Sequence, residues 1–233
     1  MFFRIVQTAG ASVWLKISSA AMTFMTTIVI ARELSASGVG IFALAGVAAT
    51  IGAIVVSAGF DALALKIGAR DSRKRTERRL ERILTSFIII SPVSTAIATL
   101  IIAVLLNRLG LDVRSLLVPV IVQAAAMGAY RVVGASLQAH GGVVLSQIGE
   151  LTIRPVAMFS AIYFIASHGD LTEERLLWCM AFGACACLVY SVLVYLLQNQ
   201  RTVKSAMPKG QGHVVAGLAL RGSSYAGFFA IVL

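Results

Sequence analysis

The chain has little charge. Charged residues are 13% of its 233 residues, with only ten Asp and Glu, three His and three Cys. A soluble domain carries about 25% charged residues. The shortfall excludes an ordinary soluble domain and is what burial in lipid demands, because a charge at mid-bilayer costs roughly 2.5–3.5 kcal/mol on insertion scales. Catalytic patterns are missing too. There is no His-Glu-x-x-His, no Gly-x-Ser-x-Gly, no glycine-rich phosphate loop and no pair of acidic motifs of the kind a membrane alcohol-phosphotransferase uses to hold a metal. His140, His168 and His213 are scattered through loops, so neither a metal site nor a cofactor is expected. Cys179, Cys185 and Cys187 fall in one apolar run without a Cys-x-x-Cys, which points to apolar packing.

What is present is hydrophobic length. Hydrophobic residues make up 58% of the chain. They gather in runs at 9–31, 41–60, 83–106, 116–137, 148–167 and 176–197, with a further run over 214–233. A helix needs roughly 20 apolar residues to cross a ~30 Å hydrocarbon core. The expected fold is therefore an all-α, polytopic membrane helical bundle: six transmembrane helices in a lobe over 1–213, then the start of a seventh over 214–233. The first run is too long for a cleaved signal peptide and is interrupted by Lys16, so a retained first helix is expected.

Charge distribution orients the bundle. The segment 66–82, read as a loop, holds eight of the twenty Lys and Arg. Placed in the cytoplasm with Arg4, Arg201, Lys204 and Lys209, it gives twelve basic residues inside, against Arg32, Arg108, Arg114 and Arg175 outside. The positive-inside rule then sets the N-terminus in the cytoplasm. The basic segment reads first as a topology signal, and second as a contact for membrane lipid or for a substrate head group. No aromatic residue interleaves with its Arg and Lys, which argues against nucleic acid.

Polar residues recur inside the runs. In the first, Thr8, Ser12, Lys16, Ser19, Thr23, Thr26 and Thr27 follow helical spacing along one face. The fourth carries Gln123, Tyr130, Arg131 and Gln138, and the fifth carries Gln147, Glu150 and Arg154. Glu150 and Arg154 have the acid-first i,i+4 order that favours a salt bridge in an α-helix. Pro155 lacks an N–H for the Leu151 carbonyl, so a kink is expected there. Ionisable groups at membrane depth face a bundle interior or a water-filled cavity. Lys16, Arg131, Gln138, Glu150 and Arg154 are therefore the candidate substrate-binding residues of a net cationic cavity suited to a phosphate or pyrophosphate head group. Snorkelling of Lys16 to the interface and a purely structural Glu150–Arg154 pair are the competing readings. Asp61, beside Gly59, is expected to mark the end of the second helix at the membrane boundary. Ala45, Ala49, Ala53 and Ser57 recur every fourth residue, a small-residue stripe for close helix packing.

Several stretches carry a family resemblance. Ala31-Arg32-Glu33-Leu34, then Gly40, then Ile41-Phe42-Ala43-Leu44 resemble the first helical hairpin of the polysaccharide-biosynthesis (oligosaccharide) flippases, in the multidrug/oligosaccharidyl-lipid/polysaccharide exporter superfamily. Leu137-Gln138-Ala139-His140-Gly141 and Gln147–Pro155 resemble that family's fourth-to-fifth helix region. The turn departs from the family pattern, with Ser35-Ala36 in place of Gly-Pro and Val39 in place of an aromatic. The resemblance implies two pseudo-symmetric lobes that flip a lipid-linked oligosaccharide across a bacterial inner membrane by alternating access. This chain would be the N-terminal lobe, its C-terminal partner lobe missing and opening at Leu220-Arg221-Gly222-Ser223-Ser224-Tyr225, and it would not be an enzyme. The alternatives are a cation-coupled multidrug exporter of the same superfamily and a non-transporting membrane component of polysaccharide assembly.

Overall fold

A computed structural model describes residues 2–70, 73–108, 113–169 and 171–205. The chain divides into two compact units, Met1–Tyr195 and Leu196–Leu233. In the second, the described residues are helical Leu196–Ser205; the expected seventh run, 214–233, lies outside the described residues. Every regular element among the described residues is helical: α1 (Phe2–Glu33), α2 (Ala36–Ser57), α3 (Phe60–Arg70), α4 (Arg73–Arg108), α5 (Val113–Ala139), α6 (Val143–Ile148), a π-helical turn (Gly149–Ile153), α7 (Arg154–His168) and α8 (Glu173–Ser205). Among the described residues six stretches are long and apolar enough to cross a membrane: Ser12–Glu33, Ala36–Ser57, Arg79–Arg108, Leu116–Ala139, Val143–His168 and Glu173–Gln198. The chain is an all-α, multi-pass membrane bundle.

Three expected boundaries change. The turn expected between the first run and the second, which begins at Ile41, shrinks, because Ser35 caps α2 by accepting from the Gly38 N–H at 3.3 Å and the helix begins at once. The second run does not end at Phe60. Ala58 and Gly59 take left-handed conformations (φ 46° and 79°), the Ala58 N–H closes α2 onto the carbonyls of Ile54 and Val55, and α3 restarts. The basic segment 66–82 is mostly helix, not loop: it is shared between α3 and α4, and α4 begins at Arg73 rather than Ile83. Arg, Lys, Glu and Leu, which fill that segment, are strong helix formers.

The small-residue stripe does pack. Ala45, Ala49, Ala53 and Ser57 are all buried. A Cβ added at Gly128 of α5 would lie 2.6 Å from Val56, and one at Gly52 would lie 2.9 Å from Ala124, so α2 and α5 touch nearly backbone to backbone. Around this contact Ala45, Ala48 and Ala49 cluster with Ile102 and Leu106 of α4, Leu116, Val120 and Ala124 of α5, and Leu177 and Met180 of α8. Pro92 sits inside α4. It withholds an N–H from the Ile88 carbonyl, and the Ser91 hydroxyl donates to that oxygen at 3.2 Å instead.

The register of α3 fixes its direction. Ala64 clusters with Leu80, Ile83 and Ala135, Phe60 meets Phe87 edge-on at 5.8 Å, and Gly68 abuts Ala139. Thus α3 runs parallel to α5 and antiparallel to α4, alongside the ends of both. Asp61 therefore does not end the second helix but opens α3. It lies beside Phe60, level with Phe87 of α4. Its Oδ1 accepts from the Ala62 N–H at 2.9 Å in the first turn of α3.

Candidate functional site

The fifth span is where local geometry departs from an ordinary helix. Between α6 and α7 the backbone widens into a π-turn over Gly149–Ile153, closed by the Arg154 N–H donating to the Gly149 carbonyl. Pro155 follows and has no N–H for the Glu150 carbonyl, the partner the π register would give it. Gly149 supplies the other requirement. A Cβ there would lie 3.1 Å from Ser191 Oγ and 3.2 Å from Cys187 Sγ, so its missing side chain lets α8 approach. A Cβ at Gly183 of α8 would come within 2.9 Å of the Arg154 carbonyl oxygen. A single π-turn inside a helix is frequently found at functional sites.

The wider turn changes which partners meet. The i,i+4 salt bridge expected of Glu150 and Arg154 presupposes α geometry, which the π-turn between them breaks. Glu150 instead accepts a hydrogen bond from the Tyr130 hydroxyl of α5, at 2.6 Å. Arg154 closes the same π-turn that carries Glu150, and α8 meets this turn at Gly149 through Cys187 and at the Arg154 carbonyl through Gly183. The cluster thus joins α5, the π-turn and α8. Cys187 packs, as expected of the cysteines, but it packs against this cluster. The buried hydroxyl oxygen of Thr152 in this turn has no hydrogen-bond partner. Glu150 is the eighth residue of its span, about 10 Å of helix in from the end, and it is exposed. An exposed carboxylate at that depth faces water or a polar ligand.

Helix α1 adds a second polar join. Ser12 Oγ donates to Gln147 Oε1 at 2.8 Å, and further along Ile30 clusters with Ile162. The two spans therefore run parallel, and Lys16, one turn past Ser12 on the same face, is level with the π-turn. Lys16 is exposed.

The sequence candidates are thus sorted. Glu150 and Arg154 are brought together with Tyr130, and Lys16 is at their level. Arg131, half-buried, follows Tyr130 and is turned about 100° from it around α5. Gln138 stands apart, eight residues or about 12 Å further along the helix, where its carbonyl accepts from the Gly141 N–H in the turn to α6. Tyr130 was visible in the polar stripe, but nothing in the sequence marked it as the partner of Glu150. Gly149 and Pro155 bracketing Glu150 and Arg154 were the available signal. Among the described residues no group of three His, Cys, Asp or Glu side chains is placed to hold a metal ion. Searches against protein-family models, curated proteins and solved structures find no match for this chain.

Proposed function

We propose that this chain forms one lobe of a transporter that flips a lipid-linked oligosaccharide across a bacterial inner membrane by alternating access, with its N-terminus in the cytoplasm. The supporting observation is the Tyr130–Glu150 hydrogen bond at a π-turn within a membrane span, with Arg154 beside it and Lys16 level with it. Polar groups at this depth are costly and mark substrate or ion pathways. The set Lys16, Arg131, Glu150 and Arg154 carries more positive than negative charge, which suits a pyrophosphate. In this reading Arg131 and Arg154 hold the pyrophosphate–sugar head group, and Lys16 draws it in from the cytoplasmic side. Tyr130 keeps Glu150 from neutralising Arg154. The lipid tails stay in the bilayer while this lobe rocks against a second one.

The test is a flipping assay in vesicles that carry this lobe together with its partner lobe and a polyprenyl-pyrophosphate oligosaccharide, with lectin access reporting the leaflet. Wild-type protein should expose the sugar, and Arg131→Gln with Arg154→Gln should slow exposure at least tenfold at equal protein incorporation. An undiminished rate in the double variant would sink the proposal.

A further inference from the structure

The inner ends of α3 and α4 form a surface that the proposed transport does not use. Between them they carry most of the basic segment 66–82. Their contact runs through Ala64 on α3 and through Leu80 and Ile83 on α4. In an antiparallel pair of right-handed helices, the residue immediately before a contact position projects to the same flank from both partners. That places Leu63, Arg79 and Arg82 on one flank. Lys66, one turn past Leu63, joins them. The register also sets depth. Lys66 lies about level with Arg79, and Leu63 and Arg82 lie one turn further into the membrane. Leu63 is 44% exposed, and Lys66, Arg79 and Arg82 are exposed as well.

This flank therefore sets an exposed leucine level with Arg82 and one turn below Lys66 and Arg79, at the edge of the bilayer. Long basic side chains at such a position keep their stems along lipid and their charged ends among head groups. We infer that the α3–α4 flank is a binding site for an anionic phospholipid, with the phosphate held by Lys66, Arg79 and Arg82 and an acyl chain lying along Leu63. Charge complementarity selects the occupant: a zwitterionic lipid offers the same tail but no net negative charge. A topology signal alone needs basic residues in number, whereas this arrangement places them on one flank around an exposed leucine.

Native mass spectrometry of the full chain in mild detergent tests the site, by titrating phosphatidylglycerol against phosphatidylcholine of the same acyl chains. Wild-type protein should retain phosphatidylglycerol preferentially. Lys66→Gln with Arg82→Gln should reduce that preference by about 25-fold, at roughly fivefold for each charge removed. Arg32→Gln with Arg108→Gln, an equal loss of charge at the opposite ends of their helices, should leave it unchanged. Equal loss in both double variants would reduce the effect to net charge and overturn the inference, as would an unchanged preference in the first. If the first double variant does not fold, Lys66→Gln alone and the salt dependence of wild-type binding decide. A preference that survives 1 M NaCl, where exposed charges are screened within about 3 Å, also overturns it.

Discussion

The α2–α4–α5 group and the α1–α7 group are built from different materials. In the first, alanines and glycines bring helices to near-backbone contact: Ala48, Ala49 and Ala53 are fully buried, and Gly52 and Gly128 admit their neighbours. In the second, the apolar contact of Ile30 with Ile162 is supplemented by polar bonds further along, Ser12 of α1 to Gln147 of α6 and Glu150 of the π-turn to Tyr130 of α5. Lipid offers no hydrophobic drive for helices to associate, so packing and hydrogen bonds carry the load. Close packing fixes one arrangement. A polar join can be made and broken, and it is where a moving part is affordable.

The largest expected effect tests the rigid side. Gly128→Leu forces a side chain into Val56 and the Ala53 carbonyl. Overpacking of this kind should cost ~3 kcal/mol, visible as a lower melting temperature and less monodisperse protein in detergent. A wild-type melting temperature would break the comparison. Next comes the Tyr130–Glu150 join. Tyr130→Phe should cost about 1 kcal/mol, within the range of membrane hydrogen bonds, and a cycle with Glu150→Gln should show coupling of similar size. Additive effects would mean the hydrogen bond contributes nothing. Gly40→Ala is expected to act with the opposite sign. It lies inside α2 with nothing within 4 Å of an added Cβ, so the variant should gain ~0.5–1 kcal/mol in thermal unfolding. Ser12→Ala should be smallest, a loss of about 0.6 kcal/mol. A larger loss would show that α1 depends on this one bond.

Much of the bundle was legible from run length, because the cost of exposing backbone polar groups to lipid leaves the helix as the only solution for an apolar run. The breaks were less legible. Ala58 adopts φ 46° with no sequence signal beyond the glycine after it, and the long α4 hid because a charged helical stretch and a charged loop share one composition. At the candidate site the residue types were readable and their pairing was not. Glu150 and Arg154 pair by spacing only if the helix is α, and the π-turn is decided jointly by Pro155, Gly149 and the approach of α8.

By itself the sequence determined that the chain crosses the membrane repeatedly, which end of the bundle is rich in cations, and that three spans carry ionisable or polar stripes. These follow from local free energies of transfer and from a fixed helical period. Only the tertiary structure decided that Tyr130 holds Glu150, that Asp61 opens a separate helix level with Phe87 of α4, and that Leu63, Lys66, Arg79 and Arg82 share a flank. Each of these depends on the register between two helices. That register is set where small residues allow two backbones to meet, and neither segment's sequence contains it alone.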